Sequence, residues 1–267
     1  MEFPKGALEV VRKVAEAGGA EALARFRTPL EVDDKTTQAE EYDPVTEGDR
    51  AAERAMRAVI ETRFPEHGIL GEEYGVTREG AVWRWVLDPI DGTRGFVSGT
   101  TAWTSLVGLE RDETPVLGAI HQPFTGETWL GGAKETRWRR GGTERICRVS
   151  GRTRLEEARI ATTDPRPTPK GYFSSEEAQA FERVAACCPV ARFGLDAYAY
   201  GLLALGEIDL VVEAGLQRYD VSALVPILRG AGAVVTSWTG GDPSGGGQVV
   251  AASSAELHAS AMRLLVV

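Results

Sequence analysis

The sequence predicts a mixed α/β fold in which sheets and helices are stacked in layers. Three observations predict it: two helix-period stretches open the chain, strand patterns joined by short turns follow, and strands then alternate with helices to the end. With 267 residues, 43% of them hydrophobic, the chain can bury a sizeable core in one large domain or two packed halves.

Leu8, Val11, Val14 and Ala15 recur at helical spacing and predict a helix over residues 5–26. Ala52, Ala55, Met56, Val59 and Ile60 predict a second helix, capped by Asp49 and stopped before Phe64-Pro65. Residues 83–87, 103–110, 116–122 and 127–130 read as strands between Gly, Pro, Asp and Thr, and their short connections imply an antiparallel meander. Beyond residue 155, strands are expected at 158–162, 208–213, 233–236 and 249–252. Helices are expected at 175–187, 198–205, 220–230 and 255–265. The Arg- and Gly-rich stretch 137–145 reads as a solvated hairpin. It divides the chain into an N-terminal α+β half (1–140), with most of the candidate metal ligands, and a C-terminal α/β half (141–267).

The net charge of −9 argues against nucleic-acid binding, which calls for a basic footprint. It does not exclude anionic phosphates, because bound metal ions reverse the local field. The three cysteines, Cys147, Cys187 and Cys188, are odd in number and show no Cys-x-x-Cys spacing, so a reduced, cytoplasmic setting is expected. No signal-peptide pattern opens the chain, and no stretch approaches the ~20 apolar residues of a membrane span, so no membrane association is expected. His67 and His258 read as solvated, and His121 lies at a strand end with no metal-ligand pattern beside it.

The chemistry concentrates at Asp88-Pro89-Ile90-Asp91-Gly92-Thr93, directly after the apolar run Trp85-Val86-Leu87. Pro89 interrupts a regular ladder, and two carboxylates three residues apart on such a turn can converge on one point. Oxygen ligands suit Mg²⁺, which keeps waters and shares substrate phosphate oxygens. A helix starting near Thr93 would offer free N–H groups to a phosphate. The bland reading is a capped strand-to-helix turn, favoured if the motif stood alone. Likewise Glu72-Glu73 could be solvated surface, Asp43-Pro44 a turn, and Asp220 a helix cap.

Taken in order, Asp43-Pro44-Val45-Thr46…Asp49, Gly71-Glu72-Glu73, Asp88 to Thr93 and Tyr219-Asp220…Gly230-Ala231-Gly232 resemble the inositol monophosphatase family over nearly the whole chain. The segments Gly118 to Pro123, Asp196 to Tyr200 and Asp209 to Ala214 look like its histidinol-phosphatase branch. Two positions depart from that branch: His121 where Asp is common, and Arg94-Gly95 where Lys-Ser is common.

The resemblance implies a layered α-β-α-β-α sandwich, Mg²⁺ dependence, lithium sensitivity and a homodimer. It implies that Glu72, Asp88, the Ile90 carbonyl, Asp91 and Asp220 share two or three Mg²⁺ ions. Glu72 and the Thr93 hydroxyl would orient the attacking water, with Asp43 holding Thr93, while the N–H groups of Gly92 and Thr93 grip the phosphate. Glu213 would face the organic part of the substrate; from the residues themselves, Asp196 is the second candidate, with Arg192 nearby as a contact to phosphate or ring. Asp196 reads equally as a helix cap. The implied activity is hydrolysis of a small phosphate monoester, histidinol phosphate in histidine biosynthesis first. The alternatives are an inositol or broad sugar-phosphate phosphatase and, from another class, a non-catalytic binding partner.

Overall fold

The computed structural model describes residues 3–28, 32–34, 44–167 and 171–266, with the backbone alone for 32–34 and 44–46. Helices α1 (Ala7–Arg25) and α2 (Glu47–Arg63) flank a short antiparallel ribbon of β1 (Val32–Asp34) and β2 (Pro44–Thr46). The chain then runs through β3 (Gly68–Gly71), β4 (Gly75–Thr77), β5 (Trp83–Asp91), the short helix α3 (Thr93–Val97), β6 (Thr104–Arg111) and β7 (Thr114–Gln122). β8 (Glu127–Gly132), β9 (Glu135–Arg140) and β10 (Thr143–Ile146) complete an eight-stranded sheet ordered β10-β9-β8-β7-β6-β5-β3-β4. All its pairings are antiparallel except β3 with β5.

The remaining elements are β11 (Arg159–Thr162), α4 (Ser175–Ala185), β12 (Val190–Phe193), α5 (Asp196–Ala204) and β13 (Leu210–Leu216), then α6 (Arg218–Ser222) and α7 (Leu224–Ala231). β14 (Val234–Ser237), β15 (Gly247–Ala252) and α8 (Ala255–Leu264) end the chain. Their sheet has five strands in the order β12-β11-β13-β15-β14.

Strand alternation distributes side chains to three apolar layers. On β6, Val107 and Leu109 join Val11, Val14, Met56 and Ile60 under α1 and α2. The intervening Leu106 faces the other way, with Ile120 and Trp129, onto Tyr200, Leu203, Ile227 and Leu228 of α5 and α7. β13 repeats the device: Val211 joins that central layer, while Leu210 and Val212 pack with Phe181, Val184, Leu257 and Ala261 of α4 and α8. The result is the expected α-β-α-β-α sandwich. Among the described residues no helix is long and apolar enough to cross a membrane.

Several local expectations change. The helix predicted over 220–230 is two, because Pro226 cannot donate to the Ser222 carbonyl and its ring would collide with it; the chain restarts so that Pro226 falls in the first turn of α7. β5 does not stop at Leu87 but continues through Pro89 to Asp91, with a register shift between Asp88 and Asp91 that accommodates the missing N–H. Residues 137–145 do form a hairpin, β9–β10. The position between residues 140 and 141 falls in its turn, so the hairpin stays whole within the first sheet and the change of sheet comes after Ile146. The histidines are packed rather than solvated: His67 stacks 4.6 Å from Phe64 and accepts from Trp85 Nε1 at 3.1 Å, and His258 Nε2 lies 2.9 Å from Thr236 Oγ1.

Candidate active site

The parallel register sets Gly71 opposite Leu87, and the Glu72 N–H donates to the Leu87 carbonyl at 3.2 Å. Glu72 and Asp88 therefore follow side by side at the carboxyl ends of β3 and β5, where open sheets collect ligands. The Glu72 loop is held from below by Glu53, a fully buried residue of α2. Its carboxylate accepts from the N–H groups of Glu73 (2.7 Å) and Tyr74 (3.3 Å) and from Arg57 Nε (2.7 Å).

Asp88 is 2% exposed, and its Oδ1 has no hydrogen-bond partner. Just past the bulge, Asp91 Oδ2 accepts from the Ala197 N–H at 2.7 Å, at the start of α5, and from Thr104 Oγ1 at 3.5 Å. Asp220 enters on α6, where one carboxylate oxygen accepts from the Gln217 N–H at 2.6 Å in a capping box. Asp88, Asp91 and Asp220 each bring a carboxylate oxygen within 4.8 Å of the others. Burial pushes the Asp88 pKa well up, and the charges of Glu72, Asp91, Asp220 and Asp49 add to it. Burial foremost, and then Asp196, pushes Asp91 up to about 8 against the Ala197 N–H and the Thr104 hydroxyl. An orphaned buried carboxylate oxygen amid repelling oxygen donors fits a hard divalent cation, which would discharge the repulsion and fill the unmet valence.

Gly92 follows at φ +81 and opens α3, whose N-terminus no side chain caps. The N–H groups of its first turn lack intrahelical acceptors and point where an anion can bind. The Thr93 hydroxyl donates to the Ile90 carbonyl at 3.0 Å. Asp43 lies outside the described residues. Asp49, a helix cap by pattern and the end of the first family motif, is 1% exposed in the first turn of α2 and acts on Asp88.

Beside this cluster opens a cleft of about 590 Å³ lined by Arg94, Thr163, Asp164, Arg166, Phe193 and Asp196, among others. Asp196 starts α5 in the left-handed region (φ +47). Burial raises its pKa to about 7, with Arg94 opposing and Asp220 and Asp164 adding to the rise. Arg94 stands 3.8 Å from Asp164 and 4.5 Å from the centre of the Tyr172 ring. Arg166 donates to Asp164 at 2.7 Å, which holds that carboxyl below its usual range. Glu213 is 1% exposed on β13 and accepts from Thr162 (3.1 Å) and Thr163 (2.9 Å); burial pushes its pKa well up against those two donors. Arg192 is exposed on β12 and is not among the described residues that line the cleft, where Arg94 and Arg166 stand instead. Asp164 was findable: Asp164-Pro165 closes β11 much as Asp88-Pro89 closes the regular part of β5. Glu53 and Arg94 carry no such local signal.

Carboxylates converging on an unmet valence, beside an uncapped helix start, are the equipment of a metal-assisted phosphoryl-transfer enzyme. The chain belongs to the inositol monophosphatase family, whose sequence profile matches residues 6–266. It is therefore a phosphatase of a metal-dependent family acting on small phosphate monoesters. It is 39% identical over 229 residues to the bifunctional phosphatase IMPL2, chloroplastic, of Arabidopsis thaliana; the match takes in 85% of this chain and 63% of that protein's length. It is 30% identical over 254 residues to a histidinol-phosphatase of Mycobacterium tuberculosis, covering 91% of this chain and 92% of the other. An inositol monophosphatase structure from Zymomonas mobilis superposes with a TM-score of 0.85 at 36% identity, covering 99% of both chains.

Proposed function

We propose that this chain is a Mg²⁺-dependent histidinol-phosphatase, releasing phosphate from L-histidinol phosphate. The observation that carries the reaction is the convergence of Asp88, Asp91 and Asp220 around the orphaned Asp88 Oδ1. Together with Glu72 and the Ile90 carbonyl, these residues would hold the cations. When bound, Mg²⁺ supplies positive charge to the phosphate oxygens and acidifies water.

The chain's own groups do the rest. The N–H groups of Gly92 and Thr93 bind two phosphate oxygens at the uncapped start of α3. Glu72 and the Thr93 hydroxyl, which swings from the Ile90 carbonyl, orient a water for in-line attack on phosphorus as the ester P–O bond breaks. Asp43 would hold Thr93 in turn, and the buried Asp49 adds its charge to the cluster through Asp88. Ala197 N–H fixes one oxygen of Asp91 and so leaves the other for the cation.

The substrate reading rests on the cleft. Histidinol carries an ammonium and an imidazole, and Asp196 and Asp164 line the cleft beside the exposed ring of Phe193. The buried Glu213 accepts from the hydroxyl of Thr163, a residue of the cleft wall. A second reading, inositol or a sugar phosphate, draws support from the hydroxyl-bearing Ser98, Thr100 and Thr163 of the cleft wall, which suit a polyol.

Phosphate release from histidinol phosphate and inositol 1-phosphate, each with and without Mg²⁺, tests both levels. We expect Mg²⁺-dependent release, far faster from histidinol phosphate. Comparable or reversed rates would overturn the substrate; no Mg²⁺-dependent release from either would overturn the reaction.

A further inference from the structure

Asp88 and Asp91 are placed by one strand, but Asp220 comes from the other half of the chain on α6, a helix of five residues. So short a helix has no stability of its own, since isolated helices need roughly 12–15 residues. Its place must be imposed from outside, against the repulsion of the carboxylates it approaches.

Glu110 of β6 imposes it. Its side chain is fully buried and accepts five hydrogen bonds. Two come from Arg84 of the neighbouring β5, Nε at 3.0 Å and Nη2 at 2.7 Å. The other three come from α6: Arg218 Nε and Nη2, both at 3.0 Å, and Ser222 Oγ, also at 3.0 Å. Arg218 and Ser222 are the first and last residues of α6, and Asp220 lies midway between them. One carboxylate thus grips both ends of the helix that presents Asp220. Arg218 adds a bond to the Glu113 carbonyl at 2.6 Å. Gly108, two residues before Glu110 on the strand, lets the grip close, because a Cβ there would collide with the Ser222 hydroxyl.

We infer that Glu110, through Arg218 and Ser222, is a positioning residue for Asp220 that presets the cation site before any cation arrives. The inference rests on the metal-site reading above. It makes the node's worth a matter of cation affinity, not of substrate grip: α6 with a slack tether yields to carboxylate repulsion, and the cation must do the work of recalling it. Substitutions of residues that orient metal ligands typically cost about 10–100-fold in metal affinity or activity.

Replacing Glu110 itself would strand two buried-facing arginines, so the test uses its partners. Arg218→Gln and Arg84→Gln each remove one arginine from the same carboxylate, yet only Arg218 belongs to α6. Binding of Mn²⁺ alone, in the absence of substrate, is measured by electron paramagnetic resonance of the free ion. Steady-state rates are then taken across a Mg²⁺ titration. The expected result is a Kd for Mn²⁺ raised at least 10-fold in Arg218→Gln and less than 3-fold in Arg84→Gln. Turnover of Arg218→Gln recovers at high Mg²⁺, with KM for the phosphate monoester unchanged. Ser222→Ala, a milder cut on the same tether, gives a smaller rise in the same direction and decides the matter if Arg218→Gln does not fold. Equal Mn²⁺ affinities in the two arginine variants, or a Ser222→Ala variant that binds as the wild type does, overturn the inference. A wild-type protein that binds no Mn²⁺ overturns the metal site itself.

Discussion

Gly92→Ala adds one methyl group where the two halves of the site meet. The residue sits at φ +81, and a Cβ built there falls 2.7 Å from the Ala102 carbonyl oxygen and 3.2 Å from Cβ and Cγ of Asp196. The left-handed conformation costs a non-glycine residue roughly 1–2 kcal/mol. The overlap adds about 1–3 kcal/mol, because a backbone carbonyl cannot rotate out of the way. The total, about 2–5 kcal/mol, corresponds to a Tm lowered by roughly 5–15 °C in a domain of this size. Relief by displacing Asp196 would pull on the adjoining Ala197 N–H, which holds Asp91 at 2.7 Å. A misplacement near 1 Å costs about 100-fold in rate, so turnover should fall at least that far. Gly80→Ala is the control: it has the same φ of +81 but nothing within 4 Å of its Cβ, so it carries the strain without the overlap. Differential scanning fluorimetry and a phosphate-release assay on both variants decide it. If Gly92→Ala matches Gly80→Ala in Tm and turnover, the close packing of Gly92 on Asp196 is not a working part of the site.

Two further outcomes follow from groups already placed. In metal-free protein the folded state keeps protons on Asp91 (about 8) and Asp196 (about 7) that the unfolded chain releases near 3.8, so their contribution to stability is full below about pH 4 and is lost as pH rises through 7–8. Tm in EDTA should fall between pH 5 and pH 8.5, and saturating Mg²⁺ should largely remove the fall; a Tm that rises over that range contradicts the assignment. Glu53→Gln loosens the loop that presents Glu72 while leaving the cleft untouched, so it should lower kcat and raise the Mg²⁺ needed for half-maximal rate by about 10-fold with KM unchanged. An unaltered Mg²⁺ requirement would count against it.

The reading from sequence worked where periodicity and chemistry agreed. α1, α2 and the β5–β8 meander follow from apolar spacing, and Asp88 to Thr93 stood out because strand, proline, carboxylates and glycine coincide in six residues. Short strands with no alternation escaped it. β12 is mostly exposed along its length, and β3 is four residues bounded by glycines. Arg192 is near Asp196 in sequence, but the chain turns at Gly194, and Arg94 and Arg166, from two distant segments, line the cleft. Glu53 and Glu110 were illegible for a related reason. Nothing in the sequence near a buried glutamate says which backbone or helix, tens of residues away, will come to rest on it.

Helix α5 begins with Asp196 in the wall of the cleft, continues with the Ala197 N–H bound to Asp91, and then sends the Tyr198 hydroxyl to Glu127 at 2.7 Å. On the proposed function, three consecutive residues would serve leaving-group choice, ligand placement and anchorage to the first sheet. If Asp196 reads the leaving group, a change at position 196 also moves the Ala197 N–H that holds Asp91, since the two residues are adjacent in one turn. Divergence in specificity should therefore be carried by Asp164, Arg166 and Phe193, which border the same cleft from loops and a strand end that bear no metal ligand.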